Sequence, residues 1–228
     1  AGVLDMAATI ESLLHRPDVW RGGDRHATTP TLASGHRELD AVLPGGGWPL
    51  QALTEICHAR PGLGELSLML PAFARAMDDS RWLLFVSAPH QPYAPALAAA
   101  GIDLERFAHL RCATTEQALW AAEQALRSGV CGAVALWLGS SDANALRRLQ
   151  LAAEAGRSLA VLYRPLAHAG QASPAALRLA IEGEQLRIVK CRGALGDIGR
   201  FVLRRSLAGV SVHAEAASAR VLPFVRAR

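Results

Sequence analysis

The side chains with the most suggestive spacing follow a glycine-containing turn that ends at Gly64, between an apolar strand and an apolar helix. Backbone N–H groups in such a turn can hold nucleotide phosphates, and the working pattern G-x-x-x-x-G-K-[ST] adds a lysine for the phosphates and a hydroxyl for Mg²⁺. Here Glu65 stands at the lysine position and Leu66 at the hydroxyl position. A reversed charge about 4 Å from a phosphate costs several kcal/mol at an effective dielectric constant of about 20. We therefore expect the frame of a phosphate site without its chemistry.

The alternation of strands and helices predicts what positions this turn. Apolar runs and amphipathic segments alternate up to Tyr163, which predicts an α/β protein with a mostly parallel sheet covered by helices on both faces. Residues 176–181 and 186–191 then alternate apolar and charged side chains around Gly183. This pattern predicts an antiparallel hairpin at the sheet edge, and a further strand is expected at residues 201–203.

Composition divides the chain into three segments. Residues 1–30 are expected to form an N-terminal helix and a linker, residues 31–205 the core with the degenerate turn, and residues 206–228 a basic, weakly ordered tail. No apolar run approaches the roughly 20 residues of a spanning helix. The four cysteines show no C-x-x-C spacing, so we expect neither a zinc site nor a disulfide framework.

A longer motif leads into the turn. It reads S-G-x-x-x-L-D at residues 34–40, G-G-G at residues 45–47 and L-T-E-I at residues 53–56. This combination at this spacing resembles the entry to the nucleotide site of RecA-type ATPases, and the likeness covers roughly residues 31–191. The resemblance implies a RecA-like three-layer sandwich with a mostly parallel central sheet, to which the N-terminal helix and the C-terminal hairpin are added.

The same resemblance implies where the other catalytic groups would stand. RecA-type ATPases place a water-positioning glutamate after one strand, where this chain has Pro89, and a Mg²⁺-binding aspartate at the end of another, where it has Trp137. Four losses at four separate places predict that ATP is not hydrolysed, and we expect no cofactor, no metal and no catalytic residue. The degenerate nucleotide site is interpreted as Gly62, Gly64, Glu65, Leu66, Pro89 and Trp137.

Three other stretches, at residues 43–49, 88–97 and 119–129, are similar to the ImuA family of RecA-like accessory proteins, which are often labelled SulA-like. This resemblance implies a non-catalytic adaptor in bacterial error-prone translesion synthesis after DNA damage. The implied partners are ImuB, a catalytically inactive homologue of Y-family polymerases, and an error-prone C-family polymerase. Contact with RecA and with DNA is implied as well, as is a cytoplasmic, nucleoid-associated location.

Basic side chains are concentrated in residues 164–228, which hold 11 of the 24 basic and 4 of the 20 acidic side chains. Contact with a phosphate backbone needs exposed positive charge. An arginine-rich composition of the whole protein is the alternative explanation, because Lys190 is its one lysine. The DNA-binding candidates are Arg164, in the loop where RecA-like proteins contact DNA, and Arg187, Lys190, Arg192, Arg200, Arg204 and Arg205.

The tail after Ser206 carries apolar side chains in a polar context, as segments that fold onto a partner often do. The partner-binding candidates there are Val221, Leu222, Phe224 and Val225. Two other functions stay open at this point. One is a RecA-like regulator that binds ATP or hydrolyses it weakly with unusual residues, and the other is a cell-division inhibitor, as the SulA-like label indicates.

Overall fold

The computed structural model describes residues 30–77, 80–194, 199–206 and 209–215. Within these ranges the chain forms eleven strands and five α-helices. The strands are β1 (Thr31–Leu32), β2 (Trp48–Pro49), β3 (Ala52–His58), β4 (Trp82–Val86), β5 (Phe107–Leu110), β6 (Cys131–Trp137), β7 (Leu159–Pro165), β8 (Leu177–Glu182), β9 (Gln185–Cys191), β10 (Arg200–Ser206) and β11 (Gly209–Ala214). The helices are α1 (Arg37–Asp40), α2 (Glu65–Ala76), α3 (Ala94–Ala99), α4 (Thr115–Arg127) and α5 (Ala143–Gly156).

Nine strands form one sheet in the order β11-β10-β9-β8-β3-β7-β6-β4-β5. The six strands from β8 to β5 run parallel to one another. Strands β8 to β11 pair antiparallel in sequence order at one edge. The mostly parallel α/β sheet and the hairpin of β8 and β9 are therefore confirmed.

Helices pack on the two faces of the sheet and complete a three-layer arrangement. Helix α2 buries Leu68 and Phe73 in a cluster with the inward side chains of β3, β4 and β7. On the opposite face, Ala122 of α4 and Leu149 of α5 pack against apolar side chains of β4, β6 and β7. All seven residues of β3 are buried, including the polar side chains of Thr54, Glu55 and His58, because the strand is central and covered on both faces.

The antiparallel edge is longer than the sequence pattern indicated. Within the segment predicted to be a weakly ordered tail, residues Gly209–Ala214 form β11, and Leu203 of β10 lies opposite Val212. Val212 is buried and Val210, two residues earlier on the same face, packs against the same core as α2. The predicted N-terminal helix and linker up to residue 29 fall outside the described ranges.

Candidate functional site

The six residues interpreted as a degenerate nucleotide site surround one pocket at the carboxyl ends of β3, β4 and β6. Parallel α/β sheets commonly bind ligands at this edge of the sheet. The pocket encloses about 430 Å³, within the range of ligand-binding cavities. The predicted residues that line it are Gly62, Gly64, Glu65, Leu66, Pro89 and Trp137.

The turn between β3 and α2 holds its own anion. The carboxylate of Glu65 accepts a hydrogen bond from the backbone N–H of Gly62 to Oε1 at 2.9 Å and another from Leu63 to Oε2 at 2.8 Å. Gly62 and Gly64 have φ angles of 85° and 96°, a region that favours glycine. Because Glu65 also begins α2 and its side chain is buried, the positive end of the helix dipole favours the carboxylate there.

Aromatic side chains form the inner wall of the pocket. Trp137 stacks on Tyr163 with ring centroids 4.5 Å apart, and Phe85 meets Trp137 edge-on at 5.2 Å. The Tyr163 hydroxyl donates to the backbone carbonyl of Glu65 at 3.4 Å. Burial, with a smaller contribution from the nearby Glu65 charge, raises the pKa of Tyr163 well above its usual value, so this phenol stays protonated.

Strands β10 and β11 cover the outer side of the same turn. Arg205 Nη1 donates to the carbonyl oxygen of Gly62 at 3.3 Å. A Cβ atom added to Gly64 would lie 2.9 Å from Val210 Cγ2, so only glycine allows β11 to approach the turn this closely. The antiparallel edge therefore forms one wall of the pocket.

The four positions at which the sequence predicts degenerate catalytic groups all lie in this pocket. The carboxylate of Glu65 occupies N–H groups that would face a phosphate, and Leu66, Pro89 and Trp137 offer neither a hydroxyl nor a carboxylate to Mg²⁺. No group of three or more His, Cys, Asp or Glu side chains suited to a metal ion occurs in the part of the chain that the structure describes.

The structure corrects the interpretation of Arg164, which is buried and does not face solvent. Its side chain is 1% exposed and lies 3.7 Å from the carboxylate of Glu55. Arg164 also donates to the carbonyl oxygen of Ser141 at 3.4 Å. Strand β7 continues to Pro165, so Arg164 lies inside the sheet and not in the exposed loop expected from the sequence.

Sequence reasoning missed the buried network around Glu55, the carboxylate beside Arg164. Arg178 Nε donates to Glu55 Oε2 at 2.8 Å, and Ser173 Oγ donates to Glu55 Oε1 at 2.5 Å. Arg178 also donates to the carbonyl oxygens of Gln171 and His168. These bonds hold the loop of residues 166–176 to the sheet. A local signal was present, since a glutamate and an arginine inside apolar strand runs are rarely buried unless they are paired.

The other six DNA-binding candidates are exposed but do not form one surface. The backbone alternation places Arg187, Arg200 and Arg204 on the face of β9 and β10 that points away from α2. Arg205 lies on the opposite face, against the turn at Gly62.

Two further exposed candidates also donate hydrogen bonds to backbone carbonyl groups. Lys190 Nζ donates to the carbonyl oxygen of Ser173 at 2.7 Å, and Arg192 Nη2 to that of Pro174 at 3.4 Å. Burial, with a smaller effect of nearby Arg192 and Arg178, lowers the pKa of Lys190. The partner-binding candidates in the tail, Val221, Leu222, Phe224 and Val225, lie outside the described ranges.

Comparison with known proteins links the chain to three related groups. The family described as "Cell division inhibitor SulA" matches residues 52–160. The chain is 42% identical to the cell division inhibitor SulA of Edwardsiella piscicida over 101 residues, which are 44% of this chain and 60% of that protein. It is 31% identical to protein ImuA of Caulobacter vibrioides in an alignment of 152 residues that covers 63% of this chain and 61% of that protein.

The third group is RecA itself. The chain is 30% identical to protein RecA of Rubrobacter xylanophilus, an alignment of 157 residues that covers 68% of this chain and 44% of that protein. A crystal structure of SulA from Pseudomonas aeruginosa matches with a TM-score of 0.42 and 26% identity, over 49% of this chain and 97% of that one. The chain spans less than two thirds of the curated relatives it matches. No helix among the described residues is long and apolar enough to cross a membrane.

Proposed function

We propose that this protein is a non-catalytic RecA-like accessory protein of the bacterial DNA-damage response. In this role it is an adaptor beside an ImuB-type homologue of Y-family polymerases and an error-prone C-family polymerase. The observation that carries the proposal is the carboxylate of Glu65, which accepts the backbone N–H groups of Gly62 and Leu63. A bound γ-phosphate would meet a carboxylate where a nucleotide-hydrolysing site presents a lysine.

The likeness to ImuA supports the polymerase partner. The SulA family match is confined to residues 52–160, 109 of the 228 residues. The alignment with ImuA covers 63% of the chain and is therefore longer than that segment.

The non-catalytic part of the proposal is tested by nucleotide binding. We expect isothermal calorimetry of the purified protein with ATP and Mg²⁺ to show no binding at millimolar nucleotide, and a coupled assay to show no phosphate release. The double variant Glu65→Lys with Leu66→Thr restores the residue types of the phosphate pattern and serves as the matched comparison. Mg²⁺-dependent ATP binding by the wild type would contradict the proposal and favour an ATP-dependent regulator.

Inhibition of cell division is the second candidate, favoured by the 42% identity to the E. piscicida inhibitor. Co-expression with tagged partners separates the two. We expect the chain to be retained by an ImuB-type protein and not by the tubulin-like division protein of the same bacterium. The opposite pattern of retention would reject the adaptor and support the inhibitor. An unrelated tagged protein of similar charge is the control for non-specific retention.

A further inference from the structure

Strands β9 and β10 expose three arginines on one side of the sheet. Arg187 and Arg200 are directly opposite each other in the antiparallel register, and Arg204 follows four residues after Arg200 on the same face. All three side chains are exposed. We call this surface the basic face and define it by Arg187, Arg200 and Arg204.

No described helix covers the basic face. Helices α4 and α5 lie on this side of the sheet, but their buried side chains pack against β3, β4, β6 and β7. The short apolar cluster beside β8 includes Ala180, whose register partner is Arg187, and the half-buried Val189 of β9. The other neighbours of the three arginines on this face are exposed and polar, and two of them are acidic: Gln185, Ser211, His213, Glu182 and Glu215. The face is therefore open and polar, with three arginines and two glutamates.

The three guanidinium groups have no ion-pair or hydrogen-bond partner among the described residues. Like charges directly opposite each other on an antiparallel pair repel, since their Cβ atoms lie about 5 Å apart. Arg204 lies about 13 Å along the strand from Arg200 at the usual rise per residue. Glu215 lies opposite Arg200 on the other side of β10 and offsets part of this repulsion. A ligand with several negative charges spaced along a line would relieve the rest.

We propose that the basic face binds the phosphate backbone of a nucleic-acid strand. Arginine presents a planar fork of donors that matches phosphate in two parallel hydrogen bonds. An acidic protein partner fits less well, because protein interfaces are built around buried aromatic or large apolar side chains, and the described part of this face offers only the half-buried Val189 and Val202. The one aromatic ring among the described residues of this face is the imidazole of His213, which pairs with Glu38. Because no Phe, Tyr or Trp ring is present there to stack on bases, we expect binding with little dependence on base sequence.

This surface is separate from the loop in which RecA-like proteins contact DNA. In this chain the loop of residues 166–176 is held by Arg178, Lys190 and Arg192 through its carbonyl oxygens. It is also separate from the pocket, because Arg205 faces the turn at Gly62 from the other side of the sheet. The inference therefore goes beyond the proposed function, and its failure would leave the nucleotide and partner tests unaffected.

Fluorescence anisotropy with a labelled 20-nucleotide dT strand and a 20-base-pair duplex tests the inference on the full chain. The test variant carries Arg187→Gln, Arg200→Gln and Arg204→Gln together. The matched control carries Arg75→Gln, Arg111→Gln and Arg147→Gln, which remove the same net charge from exposed positions elsewhere. Thermal unfolding monitored by circular dichroism establishes that both variants are folded.

We expect the test variant to bind the dT strand roughly 100-fold more weakly than the wild type at 0.1 M salt, because each phosphate contact on a single strand contributes a salt slope of about −0.7. The slope of log K against log salt falls in magnitude by about 2, while the control stays within about threefold of the wild type.

Equal weakening in both variants would overturn the proposal, because net charge would then explain the binding. No binding of either nucleic acid by the wild type at low salt would overturn it as well. Binding of polyglutamate as tight as that of dT at the same salt would replace nucleic acid with an acidic protein partner.

Discussion

Two pairs of arginines in the same sheet differ in burial and in their charged partners. Arg164 of β7 and Arg178 of β8 flank β3, are nearly inaccessible to solvent and lie beside the carboxylate of Glu55. Arg187 of β9 and Arg200 of β10 are exposed, lie opposite each other and have no carboxylate within ion-pair distance among the described residues. The distance to a carboxylate, and not the number of arginines, separates the structural role of the first pair from the binding role proposed for the second.

The same contrast holds between the turn at Gly62 and the basic face. The turn presents backbone N–H groups whose anion, the carboxylate of Glu65, belongs to the chain itself. The three guanidinium groups of the basic face form no ion pair within the described part of the chain, although exposed Glu215 lies opposite Arg200. A site whose charge is already satisfied has little to gain from a ligand, whereas an unsatisfied cluster gains binding free energy when counterions are released.

The largest effect is expected from breaking the buried pair. Arg178→Met leaves the carboxylate of Glu55 with the hydroxyl of Ser173 and with Arg164, which at 3.7 Å is more distant than Arg178. Removing one member of a buried ion pair typically lowers the free energy of unfolding by about 3–5 kcal/mol. Urea denaturation followed by circular dichroism measures the loss. Arg187→Met is the matched control and is expected to change the free energy by less than about 0.5 kcal/mol. Similar losses in both variants would show that the two arginines do not differ.

The next effect concerns the internal anion. Glu65→Ala removes two hydrogen bonds to a charged acceptor. At about 1.5 kcal/mol each, the lower end of the usual range for such bonds, their loss is expected to lower the free energy of unfolding by about 3 kcal/mol. The vacated N–H groups of Gly62 and Leu63 then become available to another anion. Inorganic phosphate at 10 to 50 mM is expected to raise the Tm of this variant more than that of the wild type.

Glu116→Ala is the control for the loss of a glutamate from the first turn of a helix. Glu116 occupies that position in α4 and is exposed. We expect this variant to respond to phosphate as the wild type does. An equal gain in Tm for Glu65→Ala and Glu116→Ala would mean that the turn offers no anion site when Glu65 is absent.

The sequence allowed the parallel sheet and the hairpin to be predicted, because each depends on local patterns. Apolar runs mark β4 and β6, and Gly64 followed by a helix marks the turn. The grouping of Pro89 and Trp137 with this turn was implied by the resemblance to RecA-type ATPases, and their place in one pocket agrees with the rule that parallel strands end at the same edge of the sheet. These predictions required no knowledge of side-chain contacts.

The burial of Arg164 could not be predicted in this way. Its partner Glu55 lies 109 positions earlier in the chain and meets it only because β3 and β7 are adjacent. The role of Glu65 was predicted as repulsion of phosphate, but its acceptance of two backbone N–H groups depends on the exact turn geometry. Strand β11 was missed although Val210 and Val212 alternate with polar residues, because the alanine and serine around them favoured a tail.

His36 is a third kind of basic residue: it is buried like Arg164 and Arg178, but it has no ion pair among the described residues. Its Nε2 lies 3.1 Å from the carbonyl oxygen of Leu68. Burial lowers the pKa of His36 below its usual 6.5, opposed in part by the bond to Leu68 and by Asp40. The unfolded chain therefore binds a proton near pH 6.5 that the folded chain does not, and stability is lost as the pH falls below 6.5.

Thermal unfolding between pH 7.5 and 5 measures this dependence. His36→Gln keeps an amide donor for Leu68 but does not titrate, so its Tm is expected to fall less over this range than that of the wild type. His109, whose pKa is also lowered by burial, contributes to both proteins and cancels in the difference. If the Tm of the wild type and that of His36→Gln fell equally over this pH range, the pKa of His36 would not be lower in the folded chain than in the unfolded chain.

The smallest expected effect is a change in the free energy of unfolding whose sign tests the repulsion between arginines of the basic face. Arg187→Gln removes one member of the like-charged pair with Arg200, and the other register partner of Arg187 is the uncharged Ala180. The free energy of unfolding is therefore expected to rise by about 0.2–0.5 kcal/mol at low salt. The gain is expected to disappear at 1 M salt, where the Debye length is about 3 Å. Urea denaturation at both salt concentrations measures the change, and Arg147→Gln on α5 is the control. A loss of stability that does not depend on salt would show that Arg187 supports the fold. A salt-sensitive gain would show that repulsion between the arginines of the basic face lowers the free energy of unfolding. This cost is expected where a ligand supplies the opposite charge.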